Sequence, residues 1–209
     1  MTAGLSRPSE MGPAGGVESA WVRPPLFAMD LGPDLTRTAF ASPDGSVREG
    51  PCALPHQSLE LLLEKARHEL GHDFREVVLA IPWGAPRPAT AFQVVRHMFR
   101  PVAALTACPW IGPSVVVIEA HSQGWRQTRW RDQDGVWELD QSLGPPDQVL
   151  VVDCNSSDQR TVESLKAVAA PVHFPERPEW TVVRGAALFA IRLCGNSPTD
   201  VSAWKKPER

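Results

Sequence analysis

Residues Leu26–Ala39, LFAMDLGPDLTRTA, decide how this chain reads. An apolar run enters Asp30-Leu31-Gly32, passes a polar turn and returns as a second strand-like stretch. This is the layout of a phosphate-binding hairpin, in which a glycine lets backbone come close to an anion. The shape survives while the chemistry departs from it. Pro33 and Asp34 follow the glycine where small hydroxyl residues normally stand.

Outward from the hairpin, strand and helix patterns alternate. Pro25–Met29 and Leu35–Ser42 are the hairpin strands, and Asp44-Gly45 signals a turn before a third strand at Ser46–Glu49. Leu59, Leu62, Leu63, Ala66 and Leu70 share one helical face, which predicts a helix over Leu59–Leu70 with Ser58 as N-cap and Gly71 as stop. Glu76–Ile81 is apolar almost throughout, as expected of a strand covered on both faces. Ala89–Phe99 reads as a second helix and Val102–Thr106 as a short strand. The theme then repeats. Ser114–Ala120 and Gly124–Arg131 form a hairpin, Asp134-Gly135 a turn, Val136–Leu139 a third strand and Gln148–Val152 a buried strand. Gln159–Ala167 reads as a helix, Val172–Phe174 as a short strand and Val182–Leu193 as a closing helix containing Gly185. The expected fold class is α/β: two small lobes of a duplicated mixed sheet with helices. The lobes span 23–112 and 113–196, with tails at 1–22 and 197–209. Two glycine-bearing hairpins facing each other are one way to build a nucleotide cleft.

Composition sets bounds. The chain has 209 residues, 43% of them hydrophobic, enough for one domain or two small lobes with real cores. A net charge of -3 calls for neither nucleic acid nor an anionic membrane. Cys52, Cys108, Cys154 and Cys194 form no C-x-x-C pair, and reduced thiols in a cytoplasmic protein are expected. No apolar run reaches the roughly 18 residues of a membrane span. The Gly-, Pro- and Ser-rich opening lacks the apolar core of a signal peptide and reads as a flexible tail.

The order of these segments resembles the ATPase domain of the seventy-kilodalton heat-shock chaperones, within the actin-like ATPase superfamily and its ribonuclease-H-like sheets. DLGPDLTRTA is similar to the first phosphate loop, Asp-Leu-Gly-Thr-Thr in that family. SLELLLEKARHELGHDFREVVLAIPWGAPRPATAFQVV is similar to its helix, its strand ending Val-Pro and the following helix. DGVWELDQSLG resembles the strand and turn after the second phosphate hairpin, and RPEWTVVRGAALFAI the closing helix. The resemblance covers roughly residues 25–193. It implies a vestigial nucleotide cleft of Asp30, Gly32, Thr36, Glu119, Gly124, Asp153, Ser156 and Gly185.

The departures from that pattern fall on the cleft. Glu119-Ala120-His121-Ser122-Gln123-Gly124 stands where the family has Asp-Leu-Gly-Gly-Gly-Thr, and Asp153-Cys154-Asn155-Ser156-Ser157 where it has Gly-Gly-x-x-Arg. Ala107-Cys108-Pro109-Trp110 replaces Asn-Glu-Pro-Thr, losing a carboxylate. The two upper subdomains are expected to be missing, since almost nothing separates Ser142-Leu143-Gly144 from Gln148, and little separates Ala41 from Leu59. Losing several charge-assisted hydrogen bonds at about 1–3 kcal/mol each lowers nucleotide affinity by orders of magnitude. The expectation is therefore a bacterial-type pseudo-ATPase without catalytic residues or cofactor, serving as a protein-interaction or scaffold module. A chaperone-like ATPase using ATP and magnesium is the alternative. In that alternative, Asp30 and Glu119 face each other as metal-organising acids; otherwise Asp30 only caps its turn.

Two further motifs bear on function. His68-Glu69-Leu70-Gly71-His72 fits H-E-x-x-H, a zinc hydrolase signature when both histidines share a helix face. Gly71 and the strand beginning by Glu76 argue instead for two exposed histidines at a helix end, and no metal is expected. Trp125, Arg126, Trp130 and Trp137 form a Trp/Arg mixture on the second hairpin. Such residues anchor protein interfaces and could also stack on single strands, though strand alternation splits the tryptophans between faces. A protein partner or self-association through this sheet is expected, with nucleic acid disfavoured.

Overall fold

The computed structural model describes residues 27–42, 45–74, 76–122, 124–142, 144–153 and 170–193. The tails, Ser156 and the helix expected at Gln159–Ala167 lie outside these described residues. The first half contains β1 (Phe27–Leu31), β2 (Thr36–Ala41), β3 (Val47–Ala53), α1 (Leu59–Leu70), β4 (Glu76–Ile81), β5 (Gln93–Phe99) and α2 (Arg100–Ala107). The second contains β6 (Ser114–His121), β7 (Gly124–Gln133), β8 (Val136–Leu139), β9 (Gln148–Val152), β10 (Val172–His173) and α3 (Thr181–Leu193).

The duplication read from the sequence is present in the sheets. One sheet runs β3-β2-β1-β4-β5 and the other β8-β7-β6-β9-β10. In each, the first strand pairs antiparallel with its hairpin partner and parallel with the strand on its other side. β1 and β4 are central and covered on both faces, which explains their continuous apolar character. α1 covers the outer face of the first sheet, where Leu63, Ala66 and Leu70 meet Phe27, Met29, Val77 and Leu79. α2 and α3 lie between the two sheets and share one core with Ala28, Val78, Val115, Val117, Leu150 and Val152.

α1 keeps its expected bounds. Ser58 Oγ accepts from the Leu61 amide at 3.3 Å, and Gly71, at φ 73, adopts the left-handed stop that L-residues avoid. One region is reversed. The helix expected at Ala89–Phe99 is instead strand β5, and the strand expected at Val102–Thr106 lies inside α2. The apolar spacing of 89–99 suits a helix, but the Val94-Val95 pair suits a strand, and parallel pairing with β4 decides it. Pro101 then opens α2 from its first turn, where a missing N–H costs nothing, and Ala103 and Ala104 continue the helix. No helix among the described residues is long and apolar enough to cross a membrane.

Candidate functional site

The C-terminal ends of β1, β6 and β9 converge between the lobes. They carry Asp30, Glu119 and Asp153, three carboxylates from separate stretches of chain. Between them sits Arg100, the first residue of α2, with only 1% of its surface exposed. Its Nε donates to Asp30 Oδ1 at 2.6 Å and its Nη1 to Glu119 Oε1 at 2.8 Å. Its Nη2 donates to Asp30 Oδ2 at 3.3 Å and also to Asp153 Oδ2. Arg37 on β2 adds a second guanidinium, 3.5 Å from Asp153 Oδ1. Asp153 has φ 65, a strained conformation that only a few side chains, Asp among them, tolerate.

Burial and charge shape the acids. Burial pushes the Glu119 carboxyl up to about 7; Arg100 opposes this, and Asp153 and Asp30 add to it. Burial likewise raises Asp153 despite Arg100. The guanidinium stays charged: burial works against it, and Asp30, Asp153 and Glu119 overcome that cost. Glu119 Oε2 is buried with no hydrogen-bond partner among the described residues.

The two turns that should cradle phosphate bind each other. Asp34, after Gly32, accepts the Ser122 amide at 2.8 Å and the Ser122 hydroxyl at 2.5 Å. Burial alone would raise the Asp34 carboxyl, but the Ser122 bonds outweigh it and hold its pKa below the ordinary value. A donor of the second turn is thus given to a carboxylate of the first. A Cβ on Gly32 would lie 2.6 Å from the Leu35 carbonyl oxygen, so this turn is tight.

The remaining expected residues divide. Thr36 is buried at the start of β2 opposite Leu31, and Gly124 opens β7 opposite His121. Gly185 lies apart, in α3 where it crosses α2. A Cβ there would stand 1.7 Å from the Ala103 carbonyl oxygen, so this glycine serves helix packing. Trp130 is 2% exposed, edge-on to Trp83, and Trp137 packs on the same core. Trp130 is therefore no part of a free surface, and Trp137 is half-buried. Trp125 remains 56% exposed on the opposite face, and Arg126 Nη1 donates to the Trp83 carbonyl at 2.8 Å. Gly71 separates His68 from His72, whose ring lies 4.8 Å from that of Phe40. No group of metal-ligating side chains occurs among the described residues.

Sequence reasoning missed Arg100 and Arg37. Arg100 was hidden by the misplaced helix before it. Arg37 was a single cation in a hairpin strand, with no signal in its spacing.

No sequence family and no curated protein matches the chain. Solved structures do. The ethanolamine utilization protein EutJ from Carboxydothermus hydrogenoformans superposes with a TM-score of 0.56 at 15% identity, covering 80% of this chain and 91% of that one. The activator of the 2-hydroxyisocaproyl-CoA dehydratase from Clostridium difficile, solved with bound ADPNP, gives 0.55 at 10% identity, covering 82% of this chain and 96% of that one. Both have the actin-like ATPase fold, and this chain has it too: two mixed sheets in two lobes. The matches extend over 91% and 96% of these neighbours' chains.

Proposed function

We propose that this is an actin-like protein that does not hydrolyse ATP and works as a protein-interaction or scaffold module. Its cleft is closed by its own side chains. The observation that carries the reading is Arg100, buried between Asp30, Glu119 and Asp153. A guanidinium there supplies the positive charge that a divalent cation would bring, and a metal added beside it would meet a fixed like charge. Metal and nucleotide therefore do not fit these residues. The Asp34–Ser122 clip adds to this, because a phosphate would need to displace a carboxylate from the same amide. Free thiols at Cys52 and Cys108 support a reducing compartment, the cytoplasm. Exposed Trp125 supports a protein-binding face.

The second reading is a nucleotide-binding ATPase of the chaperone type. It draws support from the neighbour solved with ADPNP, 96% of whose chain the match covers. Titration calorimetry with ATP and magnesium separates the two. The proposal expects no saturable heat and no phosphate release. Micromolar binding, or metal-dependent release of phosphate, overturns it.

A further inference from the structure

A pocket of about 230 Å³ opens between the lobes beside the ion cluster. Pro33 and Pro82 line it from the first lobe, Glu119, His121 and Arg126 from the second, together with Arg100. One of its wall residues carries an unmet need. Glu119 is 3% exposed, and its Oε2 accepts no hydrogen bond from the described residues. A buried acceptor left unsatisfied is costly, and a ligand bringing a donor relieves that cost. Arg126 stands directly opposite Glu119 in the β6–β7 pairing, and a guanidinium has further N–H groups beyond the one given to Trp83.

The pocket is thus walled by one residue with an unmet acceptor and, directly opposite it, one with spare donors. The two prolines contribute no backbone N–H to its walls. With Glu119 ionised, as it is above about pH 7, Asp30, Glu119 and Asp153 balance Arg37, Arg100 and Arg126. An ionised ligand would upset that balance; a neutral group with adjoining donor and acceptor would not. We propose that this pocket binds a carboxamide, whose N–H donates to Glu119 Oε2 and whose carbonyl accepts from the Arg126 guanidinium. The pocket is smaller than the usual 300–1,000 Å³ of drug-sized sites, which suits a fragment or a single side chain. The amide has two sources, a free small molecule or an Asn or Gln side chain of a partner. This inference rests on the cleft being closed to nucleotide.

The test is ligand-observed NMR and chemical-shift titration of the full chain with benzamide, benzoate and a capped pentapeptide carrying a central Gln or Glu. The expected result is saturable benzamide binding, with benzoate at least tenfold weaker. Arg126→Met, an exposed substitution, weakens benzamide about tenfold or more, the loss expected for one charge-assisted bond, while the melting temperature stays put. Glu119→Gln, if folded, weakens it as well. A Gln peptide binding better than free benzamide and better than its Glu counterpart assigns the site to a partner's side chain. Benzamide binding without the peptide assigns it to a free amide. No benzamide or peptide binding, benzoate equal to benzamide, or an Arg126→Met protein that binds normally overturns the inference. A chain that binds ATP with magnesium overturns the closed-cleft reading instead, and a chain that binds neither ATP nor amide overturns only this inference.

Discussion

Arg100 Nη1 lies 2.8 Å from Glu119 Oε1, so the residue that follows β5 and begins α2 is ion-paired to the central strand of the second sheet. The lobe boundary is crossed by a buried charge rather than by apolar contact alone. Charges taken out of water stabilise only when every partner is present, and removing one partner costs more than the pair contributes.

Arg100→Met therefore leaves three buried carboxylates without their shared cation. Stability should fall by about 3–5 kcal/mol, read as a lower urea midpoint at neutral pH. The loss should shrink toward pH 5, where Glu119 and Asp153 take up protons. A midpoint within experimental error of the parent at pH 7.5 would show that the cluster does not hold the lobes.

The same cluster sets a pH dependence. The Glu119 carboxyl rises from an ordinary 4.5 to about 7 on folding. Between those values the folded chain holds a proton that the unfolded chain has released. Stability from this group is complete below about pH 4.5 and is lost as pH climbs through about 7. Asp153 titrates in the same direction. Urea midpoints measured from pH 4.5 to 8 should decline over this window, and Glu119→Gln should flatten the decline. A parent protein that gains stability across the window contradicts the assignment.

The duplicated hairpins and buried strands β4 and β9 were legible because strand alternation and continuous apolar runs are local signals. Asp30, Glu119 and Asp153 were legible as a set through the resemblance. The partner that unites them was not, because Arg100 reaches Asp153 across 53 positions of sequence and no local pattern marks that pairing. Helix and strand were exchanged around Phe99 for a related reason. Val94 and Val95 take their conformation from β4, which lies beside them only after folding. Gly185 resembled a cleft glycine by wording alone, and its role follows from α2, whose position depends on the tertiary fold.

Asp34→Ala tests the clip between the turns. Ser122 loses both hydrogen bonds, each worth about 0.5–1.5 kcal/mol, and because Asp34 is exposed the global effect should sit at the low end. The sharper readout is amide exchange. Ser122 N–H should exchange faster by tenfold or more while the amides of β4 and β9 keep their protection. Unchanged exchange at Ser122 would mean that the clip is not formed in solution.

Gly185→Ala reports on the helix crossing. In an exposed helix this change stabilises by about 0.5–1 kcal/mol, since alanine has the higher helix propensity. Here the new methyl would meet the Ala103 carbonyl oxygen at 1.7 Å and its carbon at 2.7 Å. Relief requires α2 and α3 to part, and Arg100 at the head of α2 would move with it. Overpacking of this kind costs about 1–3 kcal/mol and sometimes more, so the sign reverses. The urea midpoint should drop, and Ala103→Gly in the same chain should not restore it, because the clash is with backbone rather than the Ala103 methyl. A stabilised Gly185→Ala protein would place this glycine outside the crossing and reopen its reading as part of the cleft.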